Sequence, residues 1–172
     1  LILFDNEAVS VYEGENMHLN GFENVIKNYA PSGGTNIFNG LELGAEKVIK
    51  NYDELKANRI ILLTDGYGQT PPMQVTSFVM EQNAKGIEFS TIGLGQNYNQ
   101  NLLNLIAKKG NGTFNFVDDS IKLSEVLLRE VKSSFNYVAR DLKIEIFHNK
   151  KLVYSNMYGY PSERQSDTSL TL

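Results

Sequence analysis

The feature that most constrains the fold is a short apolar run, RIILLT, at residues 59–64. A run without alternating polar residues is typical of a strand that is buried on both faces of a sheet. The run stops abruptly at Asp65-Gly66. We therefore expect a central strand that ends at Asp65.

The segments around this strand alternate between helical and extended patterns. Four segments have apolar residues at helical spacing or begin with a capping signal, at about 37–52, 70–84, 99–109 and 120–138. Thr70, Asn99 and Ser120 are the expected capping residues of the last three. Two strand-like runs lie between the helices, at 87–92 and 113–117. This order predicts an α/β fold, a Rossmann-like doubly wound and mostly parallel sheet with helices on both faces.

The two ends of the chain have different patterns from the centre. Residues 1–4 and 8–12 predict a β-hairpin, and 22–29 predict a short helix. Near the other end, 142–146 and 152–154 alternate like a second hairpin. We therefore expect one domain over 1–138 and the start of a β-rich C-terminal domain over 139–172.

The loop PSGGTNIFNG at residues 31–40 precedes the first long helix. It has two interpretations. It could be a turn that caps the helix. Alternatively, Gly33 and Gly34 could keep the backbone bare so that an ion can approach it, with Asn36 beside them.

Two oxygen-bearing residues are expected at the same edge of the sheet. Asp65 follows the apolar strand, and Thr35 begins the helix that precedes that strand. In open parallel sheets, ligands bind at the carboxyl ends of the strands. A carboxylate and a hydroxyl are hard ligands that suit Mg²⁺ or Mn²⁺. These residues are therefore candidate metal ligands.

Several stretches together resemble the von Willebrand factor type A domain family. In chain order they are Ser32–Asn36, Arg59–Gly66, Ile92–Gly95 and Ile106–Phe114. The likeness covers residues 1 to about 135. Segments 138–144 and 158–161 also resemble the β-rich region of bacterial proteins similar to inter-alpha-trypsin inhibitor heavy chains.

The resemblance implies a metal-ion-dependent adhesion site that holds Mg²⁺, or Mn²⁺ or Ca²⁺ in its place. Thr35 matches the family's threonine ligand and Asp65 its aspartate ligand, while Gly33, Gly34, Asn36 and Gly66 would shape the rim. A partner protein typically completes the ion's shell with an acidic side chain. The family's D-x-S-x-S motif is absent from the sequence, so the expected site is partial, and a site without Mg²⁺ is the alternative.

The missing motif has a structural consequence. In the family it follows a central strand that lies between the strands matching 1–4 and 59–64. We therefore expect that this segment lies upstream of Leu1. Without it, residues 1–4 must pair directly with 59–64, or another segment must fill the gap.

The composition narrows the functional classes. The formal net charge is −4, and no Lys/Arg cluster indicates nucleic-acid binding. There are no cysteines, and no run approaches the roughly 18–20 apolar residues of a membrane span. No nucleophile elbow or His-paired nucleophile is present, so we expect a non-enzymatic module. The resemblance to bacterial proteins favours an extracytoplasmic location, in the periplasm or at the cell surface.

The expected function is therefore metal-dependent binding of a protein in adhesion or assembly. Two alternatives remain open. The same fold could act as a metal-independent scaffold. It could also be a metal-dependent phosphohydrolase, although the sequence shows no general base for that reaction.

Overall fold

The parallel sheet expected around residues 59–64 is present in the computed structural model. The structure describes residues 1–14, 33–135, 145–147, 163–166 and 169–171. Its strands are β1 (Ile2–Phe4), β2 (Ala8–Ser10), β3 (Arg59–Thr64), β4 (Glu88–Leu94), β5 (Asn111–Val117), β6 (Glu145–Phe147), β7 (Glu163–Ser166) and β8 (Ser169–Thr171). Its helices are α1 (Ile37–Lys50), α2 (Pro72–Asn83), α3 (Gln100–Lys109) and α4 (Ser120–Phe135).

The central sheet has the strand order β3–β4–β5, and all its pairings are parallel. The register pairs Arg59 with Glu88 at one end and Thr64 with Gly93 at the other. Because the strands run in one direction, all their carboxyl ends meet at one edge. Asp65 lies at that edge, directly after β3.

The core lies between this sheet and three helices. Its members are buried apolar residues that the sequence places at helical spacing or within strands: Ile37, Leu41, Leu62, Val75, Val79, Ile87, Phe89, Tyr98, Leu102, Leu103 and Ile106. Burial of such side chains is the main force that holds a parallel sheet against its helices.

Helices cover both faces of the sheet, as the α/β pattern predicts. On β5, Phe114 packs against the core cluster that includes the α3 residues. Its neighbours Thr113 and Asn115 instead hydrogen-bond to Glu130 of α4. Successive strand residues point to opposite faces. Helix α4 therefore lies on the face opposite α3.

The N-terminal strands form the expected antiparallel hairpin, with Leu3 opposite Val9. Helix α1 holds this hairpin in place. The ring of Phe4 lies against Gly40, 2.9 Å from where a β-carbon would stand. The backbone N–H of Asn36 donates a 2.6 Å hydrogen bond to the carbonyl of Asp5. The position of the hairpin is therefore set by α1.

Among the described residues, residues 1–4 do not pair with 59–64, which is one of the two alternatives for a chain without the upstream strand. Strand β1 pairs with β2, and β3 pairs with β4. A cavity of about 400 Å³ separates β1 from β3, lined by residues 1–5 on one side and 60–65 on the other. No described strand pairs with both β1 and β3, so the expected segment upstream of Leu1 stays a prediction.

The expected helix cap at Thr70 is wrong. Pro71 precedes α2 without a side-chain cap, while the Thr70 hydroxyl donates to Asn36 Oδ1 at 3.0 Å. At the start of α4, the Asp119 carboxylate accepts from the N–H groups of Ile121 and Lys122; the side chain of Ser120, the expected cap, lies outside the described part of the chain. The cap at Asn99 is confirmed, because its Oδ1 accepts from the Leu102 N–H.

The chain divides into two compact units, Leu1–Asn136 and Tyr137–Leu172. In the second unit, β6, β8 and β7 form an antiparallel sheet in that order. The expected strand at 152–154 and the expected helix at 22–29 lie outside the described residues. The assignment of the two predicted domains stays a prediction.

Candidate functional site

The structure brings the two candidate metal ligands to the same edge of the sheet. Thr35 lies in the loop before α1, and Asp65 directly follows β3; both line the 400 Å³ cavity. The Thr35 Oγ1 atom lies 2.5 Å from the position that a β-carbon on Gly66 would occupy. The threonine hydroxyl therefore packs against the residue next to Asp65.

Both candidate ligands keep their oxygens available. Asp65 is exposed, and Thr35 is partly buried. In the part of the chain that the structure describes, neither the Asp65 carboxylate nor the Thr35 hydroxyl takes part in a hydrogen bond or an ion pair. An oxygen without an internal partner can coordinate a cation without first breaking a bond.

Hydrogen bonds from two neighbouring loops hold the Thr35 segment. The N–H of Gln69 donates to the carbonyl of Thr35 at 3.1 Å, and Thr70 donates to the Asn36 side chain. On the other side, the carbonyl of Asp5 accepts from Asn36. The loop is thus tied to the hairpin and to the segment after β3, which positions its hydroxyl in advance.

The two glycines of the loop have different surroundings. Both have φ of +87°, a conformation that side chains rarely adopt. A β-carbon on Gly34 would overlap the side-chain amide of Asn6 and lie 3.1 Å from Gln69 Nε2, whereas nothing lies within 4 Å of such an atom on Gly33. The bare backbone at Gly34 therefore makes room for Asn6. The expected role of Gly33 and Gly34 beside an ion stays a prediction.

Asn36 serves the helix as well as the loop. Its Oδ1 accepts from the N–H of Asn39 at 3.2 Å, which caps α1. The two interpretations of PSGGTNIFNG are therefore compatible. Asn36 caps a helix, while the preceding Thr35 hydroxyl borders the cavity.

Sequence reasoning missed Asp5 and Asn6, which shape this edge. Asp5 is only 6% exposed, and its carboxylate accepts from the N–H of Glu7 at 3.0 Å. The carbonyl of Asn6 accepts from the side chain of Asn39 at 2.9 Å. The Asp-Asn-Glu composition indicated a turn, but no local signal indicated that the turn would contact residues 34–39.

The donor set is small. Among the described residues, no three His, Cys, Asp or Glu side chains come together as a metal-binding group. One carboxylate and one hydroxyl suit Mg²⁺ in type, although that ion takes six ligands in all.

Within the same described residues, no helix is long and apolar enough to cross a membrane.

Together, the parallel sheet, the helices on both faces and the oxygen donors at the carboxyl edge define an α/β domain with a candidate cation-binding loop set. The family model of the von Willebrand factor type A domain matches residues 2–130. The chain belongs to this family. Its members commonly mediate protein–protein interactions, and some bind a divalent metal.

Two curated bacterial proteins are similar to this chain. YfbK of Escherichia coli is 32% identical over 158 residues, which cover 84% of this chain and 28% of YfbK. The protein sll0103 of Synechocystis is 28% identical over 124 residues, or 69% of this chain and 29% of that protein. The chain therefore spans less than a third of the length of these relatives.

Solved structures share the fold. A von Willebrand factor type A protein from Catenulispora acidiphila has a TM-score of 0.67 at 18% identity, covering 87% of this chain and 36% of that one. Proximal thread matrix protein 1 from the mussel byssus has a TM-score of 0.56 at 25% identity, covering 77% and 33%. The latter structure is described as having a zinc-occupied MIDAS motif, the metal-ion-dependent adhesion site.

Proposed function

We propose that this chain is a protein-binding module that captures its partner through a divalent cation held by Thr35 and Asp65. The observation that carries the proposal is the position of the Thr35 hydroxyl against Gly66, next to an exposed Asp65 that has no hydrogen-bond or ion-pair partner among the described residues. Two hard oxygens from segments about 30 residues apart in sequence meet at one sheet edge. Mg²⁺ is the proposed ion, with Mn²⁺ or Ca²⁺ as substitutes.

The remaining ligands of the ion have three proposed sources. Water can fill several positions around Mg²⁺. An acidic side chain of the partner would supply another oxygen, and this is how the partner would be recognised. The third source is an extended segment in the cavity between β1 and β3, which is lined by the facing edges of both strands and reaches Thr35 and Asp65. Such a segment would also complete the sheet.

Calorimetric titration with Mn²⁺ tests this proposal on the chain and on three variants. We expect saturable binding that is lost in Asp65→Ala and weakened in Thr35→Ala. In Gly66→Ala, the new methyl group would stand 2.5 Å from Thr35 Oγ1 and displace it. We expect about a 10-fold loss of affinity, as is usual when a group that orients a ligand changes.

A double-mutant cycle separates the Thr35 contact from general damage. If Gly66→Ala acts by moving the Thr35 hydroxyl, it should have no further effect in a Thr35→Ala background. Gly44→Ala is the matched control, since its β-carbon would make only ordinary contacts with Ile60. Equal Mn²⁺ affinity in the chain and in Asp65→Ala would refute the proposal.

The second candidate is a metal-independent scaffold of the same fold. It is favoured by the small donor set among the described residues. This candidate predicts no saturable Mn²⁺ binding and partner binding that survives Asp65→Ala. A phosphohydrolase is a weaker candidate, because neither the sequence nor the described residues supply a base beside Thr35 and Asp65.

A further inference from the structure

A second pocket lies at the same edge of the sheet as Asp65, beyond the ends of β4 and β5. Its volume is about 320 Å³, and Gly95, Gln96, Tyr98, Gln100 and Phe116 line it. Asp65 follows β3, Gly95 follows β4, and Phe116 is near the end of β5. Since neighbouring strands are about 4.8 Å apart, this pocket lies roughly 10 Å from the candidate metal ligands.

The pocket offers one exposed aromatic surface. The side chain of Phe116 is 51% exposed, although it lies on a strand of the central sheet. Its ring stacks on Tyr98 with a centroid distance of 6.1 Å and an interplanar angle of 28°. Tyr98 itself is buried, and burial raises the pKa of its hydroxyl. Tyr98 therefore packs against one face of the Phe116 ring and leaves the rest of that ring accessible.

The backbone around the pocket is well fixed. The N–H of Gly95 donates to the carbonyl of Val117 at 2.9 Å, which joins the loop after β4 to the end of β5. Asn99 caps α3, and the N–H of Gln100 donates to the carbonyl of Tyr98. The pocket is thus formed before any ligand arrives, which lowers the entropic cost of binding.

The residues that line the pocket are uncharged. Gln96 and Gln100 are exposed, and their side-chain amides form no hydrogen bond within the described residues. Two amides can pair with one peptide group, while the exposed aromatic surface of Phe116 can stack on an apolar ring.

We propose that this pocket binds an aromatic side chain of the partner, with Phe116 as its stacking surface and Gln96 and Gln100 as hydrogen-bonding groups for the adjoining peptide. Aromatic side chains are enriched at the energetic centres of protein interfaces because they bury a large rigid surface. The volume is at the low end of ligand sites, which fits one ring rather than a larger molecule. That the bound ring belongs to a partner protein rests on the proposed function.

The test uses small probes in place of the partner. N-acetyl-L-phenylalaninamide is titrated into the ¹⁵N-labelled chain, and amide shifts are followed by NMR in the presence of EDTA. We expect saturable shifts at Gly95, Gln96 and Gln100. The affinity should be about 2- to 13-fold weaker for N-acetyl-L-leucinamide, because stacking adds about 0.5–1.5 kcal/mol to the burial of an aromatic ring. Methyl α-glucopyranoside is the carbohydrate comparator.

Two variants locate the binding. Phe116→Ala should abolish the shifts, and its unchanged spectrum elsewhere would show that it folds. Tyr67→Ala is the matched control, since Tyr67 is 65% exposed beside Asp65 and outside the pocket. If Phe116→Ala perturbs the fold, Gln100→Ala replaces it, because that side chain is exposed. Equal binding of the leucine probe, stronger binding of the sugar, or no shifts at these residues would overturn the inference.

The experiment is independent of the metal. Aromatic binding together with no Mn²⁺ binding would overturn the proposed metal dependence alone. Mn²⁺ binding without the aromatic shifts would overturn this inference alone.

Discussion

Charged side chains have different surroundings at the two edges of the central sheet. At the amino edge, the Arg59 guanidinium bonds to Glu88 at 2.6 and 2.9 Å and to Ser133 at 2.8 Å, and it lies 3.6 Å from Glu130. At the carboxyl edge, Asp65 is exposed and has no such partner among the described residues. At the amino edge, the charge of Arg59 connects β3 to β4 and to α4. At the carboxyl edge, the charge of Asp65 is available to a ligand.

The amino edge illustrates how a buried ion cluster connects a helix to a sheet. Glu130 of α4 is only 3% exposed. It accepts hydrogen bonds from Thr113 and Asn115 of β5 through one carboxylate oxygen. Its other oxygen faces Arg59 at the start of β3. Several apolar side chains of α4 are exposed, among them Ile121 and Leu128. The polar contacts are thus an important part of the attachment of this helix.

The largest expected effect is the loss of Arg59. In Arg59→Met, the partly buried carboxylate of Glu88 and the buried carboxylate of Glu130 lose the Arg59 guanidinium. Breaking a buried ion pair from one side typically costs about 3–5 kcal/mol, because a charge remains without compensation. We expect a loss of that size in the free energy of unfolding, measured by urea denaturation. Mn²⁺ affinity of the folded variant should stay unchanged, since the metal ligands lie at the other edge.

Lys85→Met provides the control for Arg59→Met. Lys85 pairs with Glu81 at 2.8 Å, but both side chains are more than half exposed. Exposed pairs contribute about 0.2–1 kcal/mol. An equal loss in the free energy of unfolding in the two variants would contradict the comparison. The ion pairs at the amino edge would then contribute no more than an exposed pair.

The second prediction concerns Gly34, a tightly packed position at the carboxyl edge. Gly33 and Gly34 share a φ of +87°, so alanine strains both by about 1 kcal/mol. At Gly34 the new β-carbon also overlaps the side chain of Asn6. Overpacking adds about 1–3 kcal/mol. We expect Gly34→Ala to destabilise the chain by about 2–4 kcal/mol and Gly33→Ala by about 1 kcal/mol in urea denaturation.

The difference between the two glycine variants isolates the contact with Asn6. Shortening that side chain in Asn6→Ala/Gly34→Ala should recover most of the additional loss. If the double variant is as unstable as Gly34→Ala, the contact is not the cause, and the loop is held in some other way.

The sheet was predictable from local patterns, and the edges were predictable only in part. The apolar run at 59–64 and the helical stripe after Ile37 identify a buried strand and a helix, because burial selects these periodicities. The meeting of Thr35 with the residue after β3 follows from a general rule for parallel sheets. Both inferences need only the order of elements along the chain.

Contacts between distant side chains were not predictable in this way. Gly34 was recognised as a bare position, but its neighbour Asn6 belongs to a turn 28 residues earlier. Arg59 and Glu88 are partners only because β3 and β4 pair in one register. Phe4 and Gly40 are likewise in contact although they lie 36 residues apart in sequence. Such features depend on three-dimensional packing, which leaves no periodic signal in the sequence.

The smallest expected effect tests charge at the carboxyl edge directly. Lys122 contacts Asp118 at 2.6 Å just after β5, and both side chains are more than half exposed. The hydrogen bond from Lys122 is the main cause that lowers the pKa of Asp118 below its usual value of 3.8. Stabilisation from this carboxylate is therefore present above about pH 3.8. It is lost as the pH falls through the lower pKa of the folded state.

Lys122→Met should raise the pKa of Asp118 towards its usual value, as measured by NMR titration of the carboxyl group. The urea midpoint at pH 7 should scarcely change, because solvent and salt screen the exposed pair. Lys85→Met should affect the pKa of Glu81 in the same way, since a hydrogen bond from Lys85 is the main cause that lowers it. A loss in Lys122→Met as large as that in Arg59→Met would show that charge also holds the carboxyl edge together. Charged residues would then have the same structural role at the amino edge and at the carboxyl edge of the sheet.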